Sequence, residues 1–216
     1  MASENRFDQY FLPNLLKDSL LQKAIDFLNS RELIQMPVEE KIPYSGVYAI
    51  YYFGNYPTYQ HLSNHNNNVT DVRNYYPIYV GKAVPRGTRT GQIQSATQSL
   101  YHRLHEHSKS IMSTNLDIND FRCRFVIMTG HDEELIVPLE SEMIRRYTPI
   151  WNSAMSGFGI HHPGSGRFGQ KKSEWDTLHP GRYFAEMLTG ELDLTTMEIN
   201  EKVVGWLNNT VEDFYL

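Results

Sequence analysis

Between Asn14 and Asn29, apolar residues recur at Leu15, Leu16, Leu20, Leu21, Ala24, Ile25, Phe27 and Leu28. Spacings of three and four predict an amphipathic helix packed on a core. The pattern then changes to a continuous aromatic and β-branched run, Gly46-Val47-Tyr48-Ala49-Ile50-Tyr51-Tyr52-Phe53, which predicts a buried strand. Residues 54–76 are polar, hold Asn64, Asn66, Asn67 and Asn68, and are too long for a hairpin turn, so they read as an insertion. Pro77-Ile78-Tyr79-Val80-Gly81 predicts a second strand, entered through a proline that limits pairing at its start. Pro85 to Gln94 reads as a loop, Ser99 to Met112 as a helix and Arg122 to Met128 as a third strand. A last helix spans Pro138 to Tyr147, with Pro138 suited to its first turn. It must end near Thr148, because Pro149 disfavours helical geometry in the residue before it. A glycine-rich basic loop, Gly157 to Lys172, leads into a helix-rich tail. The order β-β-α-β-α predicts an α+β fold, a small three-stranded antiparallel sheet flanked by helices, with helical extensions at both ends.

The chain has 216 residues, 40% hydrophobic and 12% aromatic, which suits one elaborated domain with a substantial core. Its one cysteine, Cys123, rules out an internal disulfide framework and reads as a buried strand thiol. Glu4, Arg6 and Asp8 come early and Lys17-Asp18 interrupt the first apolar stretch, so no signal peptide is expected. No apolar run is long enough for a bilayer, so the expectation is a soluble cytoplasmic protein with no membrane partner. A net charge of -5 argues against a nucleic-acid partner. Its distribution argues the other way. From Val72 to Ser110 stand Arg73, Lys82, Arg86, Arg89, Arg103 and Lys109 against Glu106 alone, whereas the first forty residues hold seven acids and four bases. A basic middle on an acidic chain can form an anion-binding cleft.

Gly46 and Gly81 sit inside strand runs, where glycine weakens pairing unless something must approach the backbone closely. They belong to two strings, Gly46-Val47-Tyr48 and Tyr79-Val80-Gly81. Arg103-x-x-x-His107 follows on a helix, then Leu139-Glu140-x-x-Met143-Ile144-Arg145-x-Tyr147-x-Pro149-x-Trp151-Asn152. Tyrosine, arginine, histidine, glutamate and asparagine in this order can build a metal-assisted phosphodiester hydrolase. On these strings the chain resembles the GIY-YIG nuclease family, valine replacing isoleucine in both. The resemblance covers 46–152 as the nuclease core, leaving 153–216 as a C-terminal extension. Size and insertions look like those of the family's type II restriction endonucleases, such as the one that cuts the palindrome CCGCGG.

The resemblance implies a role for each residue. Glu140 would be the carboxylate for one Mg²⁺ per active site, since a hard cation needs only one or two protein carboxylates when phosphate and water complete its shell. Glu142 competes by proximity but lies two helix positions on, about 200° around the axis. Arg103 would contact the scissile phosphate, with His107 one turn further on the same face. Tyr48 would orient or deprotonate the attacking water, with Lys82 or His107 as the neighbouring cation that lowers its pKa. Tyr79 would position the nucleophile and Asn152 would hold the site together. The implied substrate is double-stranded DNA, cut by a homodimer without a nucleotide cofactor. Arg86 and Arg89 would read guanines, and the 54–76 insertion would add contacts or dimerise. Arg167, Lys171 and Lys172 would touch phosphates. A homing or repair nuclease of the same family, or a DNA-binding protein with a dead nuclease core, are the alternatives.

The bland readings stand beside these. With fourteen tyrosines in the chain, a strand tyrosine is more often core than catalyst, and Tyr51, Tyr52, Tyr75 and Tyr76 are assigned to packing. Gly164-Ser165-Gly166-Arg167-Phe168-Gly169 fits a dinucleotide fingerprint but follows a His-His-Pro loop in place of a strand. His102, His105 and His107 do not share one helix face and have no cysteine partners, which argues against zinc.

Overall fold

The structure, a computed structural model, describes residues 15–84, 99–160, 169–190 and 192–211. Strands β1 (Ile34–Gln35), β2 (Ser45–Tyr52), β3 (Pro77–Ala83) and β4 (Phe121–Met128) form one antiparallel sheet in the order β1-β4-β2-β3. The sheet therefore has four strands where the sequence pattern predicts three. The added strand, β1, is two exposed residues pairing Ile34 with Cys123 and Gln35 with Arg122. Two residues are too few for any periodicity, so only the pairing itself reveals them.

All eight residues of β2 are buried. This central strand has a ladder on each side, so its aromatic run is what a strand without a solvent edge requires. Its register sets the site: Tyr48 stands opposite Gly81 of β3 and Phe125 of β4. Cys123 is buried on β4, where desolvation pushes its thiol up to about 12, an inert strand cysteine.

Helices α1 (Leu15–Asn29), α2 (Gln60–Asn68), α3 (Leu100–Met112) and α4 (Ile136–Tyr147) pack around the sheet. Helix α3 starts where Ser99 Oγ accepts the backbone N–H of His102. Its buried stripe is Leu100, Leu104, His107, Ser108 and Ile111, so helical periodicity places His107 inside and half-buried Arg103 on the margin. Helix α4 begins two residues before Pro138, which still falls in the first turn. It ends at Thr148, left-handed at φ 40°, where the N–H reaches Ile144 O at 2.8 Å. Pro149 excludes the right-handed helical region there, and a β-branched residue accepts the left-handed one only where its surroundings hold it. Trp206 Nε1 donates to Thr148 O at 3.2 Å and supplies part of that hold.

The polar stretch after β2, read from the sequence as an insertion, contains α2. Its buried Asn66 donates to the carbonyls of Tyr52 and Tyr76 at 3.0 Å each and accepts the Tyr76 N–H at 2.8 Å. One side chain thus ties the end of β2 to the start of β3. The tail contributes α5 (Ile150–Ser153), α6 (Glu174–Leu178), α7 (Tyr183–Glu186) and α8 (Thr196–Val211). It joins the core through a buried chain in which Trp151 Nε1 donates to Tyr59 Oη at 3.0 Å. Tyr59 Oη in turn donates to His179 Nε2 at 2.6 Å. Burial, helped by Arg182, pulls His179 down to about 3, so its ring is neutral and able to accept that bond. Tyr51, Tyr52 and Tyr76 are buried and Tyr75 packs against them, so the four tyrosines assigned to packing do pack. Among the described residues no helix is long and apolar enough to cross a membrane.

Candidate active site

Tyr48, Tyr79, Arg103 and His107 come from three elements and meet at one point. Tyr48 Oη lies 2.7 Å from His107 Nε2, with the rings 5.6 Å apart. The Tyr79 ring packs edge-on against His107 at 5.0 Å and tilted against Tyr48 at 6.4 Å. The Arg103 guanidinium lies near enough to both phenols to favour their ionised forms. Tyr48 and His107 are 0% and 1% exposed, and Tyr79 reaches 8%, so solvent meets this cluster at Tyr79 and Arg103.

This burial decides the protonation of Tyr48. Desolvation raises its pKa strongly, the neighbouring Tyr79 and the Glu140 charge raise it further, and Arg103 only partly offsets them. The sequence reading expects a neighbouring cation to lower that pKa; the structure corrects this, because removal from water outweighs the guanidinium. Tyr79 is raised for the same first reason. Both phenols are neutral, and the short contact to His107 Nε2 is a path by which Tyr48 can pass on a proton.

Gly81 also takes on a different meaning. A Cβ built there falls 2.6 Å from Tyr48 Cζ, so the glycine makes room for the tyrosine ring facing it across the ladder. The sequence reading reserves that space for an approaching ligand. At Gly46 the obstacle is backbone, the carbonyl of Val126 on β4. Gly81→Ala should therefore push the Tyr48 ring off His107. We expect a loss of about 1–3 kcal/mol in stability from overpacking. Catalysis should fall as far as in a variant lacking the Tyr48 hydroxyl. Denaturant melts and cleavage rates measure the two losses, and a wild-type rate would show that the ring has other room.

Lys82 follows Gly81 on β3, and its ammonium pairs with the Glu140 carboxylate of α4, whose charge also acts on Tyr48 and Tyr79. Glu142 points elsewhere, paired with Arg145 at 2.5 Å and with Arg146 at 3.8 Å. Asn152 donates to Val80 O and accepts the Val80 N–H, both at 2.8 Å, clamping the sheet's outer strand from its open edge. These contacts hold Tyr79 and Gly81, the neighbours of Val80, in place. Lys171 is paired with Asp193 at 2.6 Å and Lys172 with Glu186 at 2.9 Å, so both ammonium groups already have partners in the tail. Arg86, Arg89 and Arg167 lie outside the described residues.

Among the described residues no three histidine, cysteine or acidic side chains converge as a metal cage. Glu140 suits a different arrangement, a carboxylate already facing a cation and close enough to Tyr48 and Tyr79 to act on both electrostatically, with phosphate and water left to complete a metal's shell. The donor set fits a hard divalent ion bound jointly by protein, substrate and water.

Sequence reasoning missed Phe158. It is 1% exposed and stacks on His107 at 4.7 Å and 17°, with its edge toward Tyr79 at 4.9 Å. It sits in an irregular stretch after α5, where no periodicity marks a core position. The flanking Gly157 and Gly159 are the only local signal, and a Cβ at Gly159 would fall 2.5 Å from Tyr79 Oη.

A family model described as the Eco29kI GIY-YIG domain matches residues 40–207. It therefore takes in β2 through most of α8, including every described residue of the cluster. No curated protein matches the chain at a significant level.

Proposed function

The chain belongs to the Eco29kI GIY-YIG domain family and is a restriction-type nuclease, and from this premise we propose that it is a type II enzyme hydrolysing both strands of a GC-rich DNA palindrome resembling CCGCGG. The observation that carries the reading is the convergence of two phenols, an imidazole and a guanidinium beside the Glu140–Lys82 pair. Phosphodiester hydrolysis needs a proton acceptor for water, a cation on the phosphoryl oxygens and a carboxylate for a metal, and these groups supply each.

In the proposed reaction a water enters past Tyr79 and Arg103. It gives a proton to the Tyr48 oxygen as the Tyr48 hydroxyl proton passes to His107 Nε2. The resulting hydroxide attacks phosphorus in line, the bond from phosphorus to the leaving ester oxygen breaks, and that oxygen takes a proton from solvent while His107 returns its own to solvent. Arg103 donates to the phosphoryl oxygens through its planar fork. Arg103 also lines an open pocket of about 550 Å³ between α3 and α7, which gives a DNA backbone a route to it. Glu140 would hold one Mg²⁺, with Lys82 yielding its place or moving to the phosphate. Held there, a divalent ion would supply positive charge against the negative charge that develops in the transition state.

Cutting both strands of a palindrome calls for two sites related by the DNA dyad, hence a C2 homodimer. Arg86 and Arg89 are the proposed guanine readers, and Arg167, Lys171 and Lys172 the proposed phosphate contacts, the two lysines by exchanging partners. The test is digestion of plasmids of known sequence with and without Mg²⁺, followed by end mapping. Discrete Mg²⁺-dependent fragments with a common GC-rich palindrome at their ends are expected. No cleavage of any GC-rich plasmid would overturn the restriction reading, and cutting confined to branches or lesions would favour a repair nuclease.

A further inference from the structure

Phe158 covers the inner side of His107, and its position is set by backbone contacts from a distant part of the tail. Arg182 donates through Nη1 to the carbonyls of Phe158 and Ile160 at 3.1 and 3.3 Å, and through Nη2 to that of Gly157 at 2.9 Å. Three carbonyls within four consecutive residues thus converge on one guanidinium. Asp176 grips the other side of the fork at 2.6 and 2.7 Å. Both side chains are 3% exposed. A buried ion pair loses its hydration and is weak support for stability by itself. Here it also orders an irregular segment whose side chain touches the reacting cluster.

The start of the same segment is held by further contacts. Ser156 N–H donates to Glu174 Oε2 at 2.9 Å, and Gly157, at φ 115°, packs so closely on Ser173 Oγ that no side chain fits. The contacts leave Phe158 stacked on His107 and Gly159 against the Tyr79 hydroxyl. The imidazole is then fixed in plane by Phe158 on one side and the Tyr48 hydroxyl at Nε2.

We propose that Arg182, braced by Asp176, is a positioning residue of the reaction: it seats Phe158 on His107 and so keeps the His107–Tyr48 hydrogen bond in line. The inference rests on the nuclease reading and extends the reacting apparatus into the last fifth of the chain. Lysine at 182 keeps a charge for Asp176 but cannot fork to three carbonyls.

The test compares Arg182→Lys, Phe158→Leu and the double variant in full-length protein. Two readouts are used: single-turnover cleavage with separate DNA affinity, and the NMR resonances of the His107 ring, which the stacked Phe158 ring shifts upfield. Each single variant should slow the chemical step about 10- to 100-fold while DNA affinity stays within about twofold. Both should move the His107 resonances downfield, and the double variant should be no slower than the slower single. Should Arg182→Lys fail to fold, Asp176→Asn takes its place in the series. Unmoved His107 resonances in a folded Arg182→Lys or Asp176→Asn protein would overturn the inference, as would losses that multiply in the double variant. Failure of the wild type to cut DNA would overturn the nuclease reading instead, and the NMR comparison would still decide whether Arg182 seats Phe158.

Discussion

Glu140→Gln should abolish measurable cleavage while leaving a folded protein that still binds DNA. The amide keeps the shape of the side chain and removes the charge that would hold a divalent ion. A metal contribution of about 4 kcal/mol to the transition state corresponds to a loss of about 10³-fold, and the expectation is at least that. Stability should change little, because the Lys82 side chain facing Glu140 is 32% exposed and ion pairs open to water contribute about 1 kcal/mol or less. DNA affinity, measured with Ca²⁺ in place of Mg²⁺, should hold or rise slightly, since one negative charge near the phosphate is gone. Glu142→Gln is the matched control. Its carboxylate is engaged with Arg145 and Arg146 on another face of α4, so cleavage should stay within about threefold. If Glu140→Gln cut at the wild-type rate, the metal assignment would be wrong.

Tyr48→Phe is the second large effect, and it separates a packing tyrosine from a working one. The phenylalanine ring fills the same space beside Gly81, so the fold should survive. What is lost is one hydroxyl, the group 2.7 Å from His107 Nε2 and in reach of Arg103. An unpaired buried imidazole nitrogen costs about 1–3 kcal/mol. The rate should fall about 10²- to 10⁴-fold, the range of a lost general base or relay. Because Tyr48 is proposed to act only by handing its proton to His107, Tyr48→Phe combined with His107→Ala should be scarcely slower than either alone. Single-turnover rates on a mapped cleavage site give the comparison. Near-normal cutting by Tyr48→Phe would return Tyr48 to the core and leave Tyr79 as the phenol to examine. Burial raises the Tyr48 pKa, so no ascending limb of the pH–rate profile should depend on its ionisation.

Much of this arrangement was legible in the chain. The long apolar and aromatic run from Gly46 read as a buried strand because a strand with neighbours on both sides has no polar face to show. The end of α4 followed from Pro149, while its start lies two residues before Pro138, which marks only the first turn. Arg103 and His107 were placed on adjacent turns by simple helical spacing. The illegible parts share one cause. Strand β1 has two residues, α2 is built from asparagines that look like loop, and Phe158 lies in an irregular stretch, so none has a period to detect. Each takes its place through contacts with residues far away in sequence.

The sequence by itself determined the α+β class and the order of the longer strands and helices, because these depend on local pattern, and the family resemblance supplied the candidate side chains. Only the tertiary structure decided how those side chains behave. Gly81 is glycine to admit the Tyr48 ring, Tyr48 stays protonated because the fold removes it from water, Glu140 faces Lys82, and the tail supplies Phe158 and its Arg182 anchor. Spacing along a chain carries the period of a helix or strand. Burial, pKa and the wall of a site depend on what packs across the fold, and that is settled only when the distant segments meet.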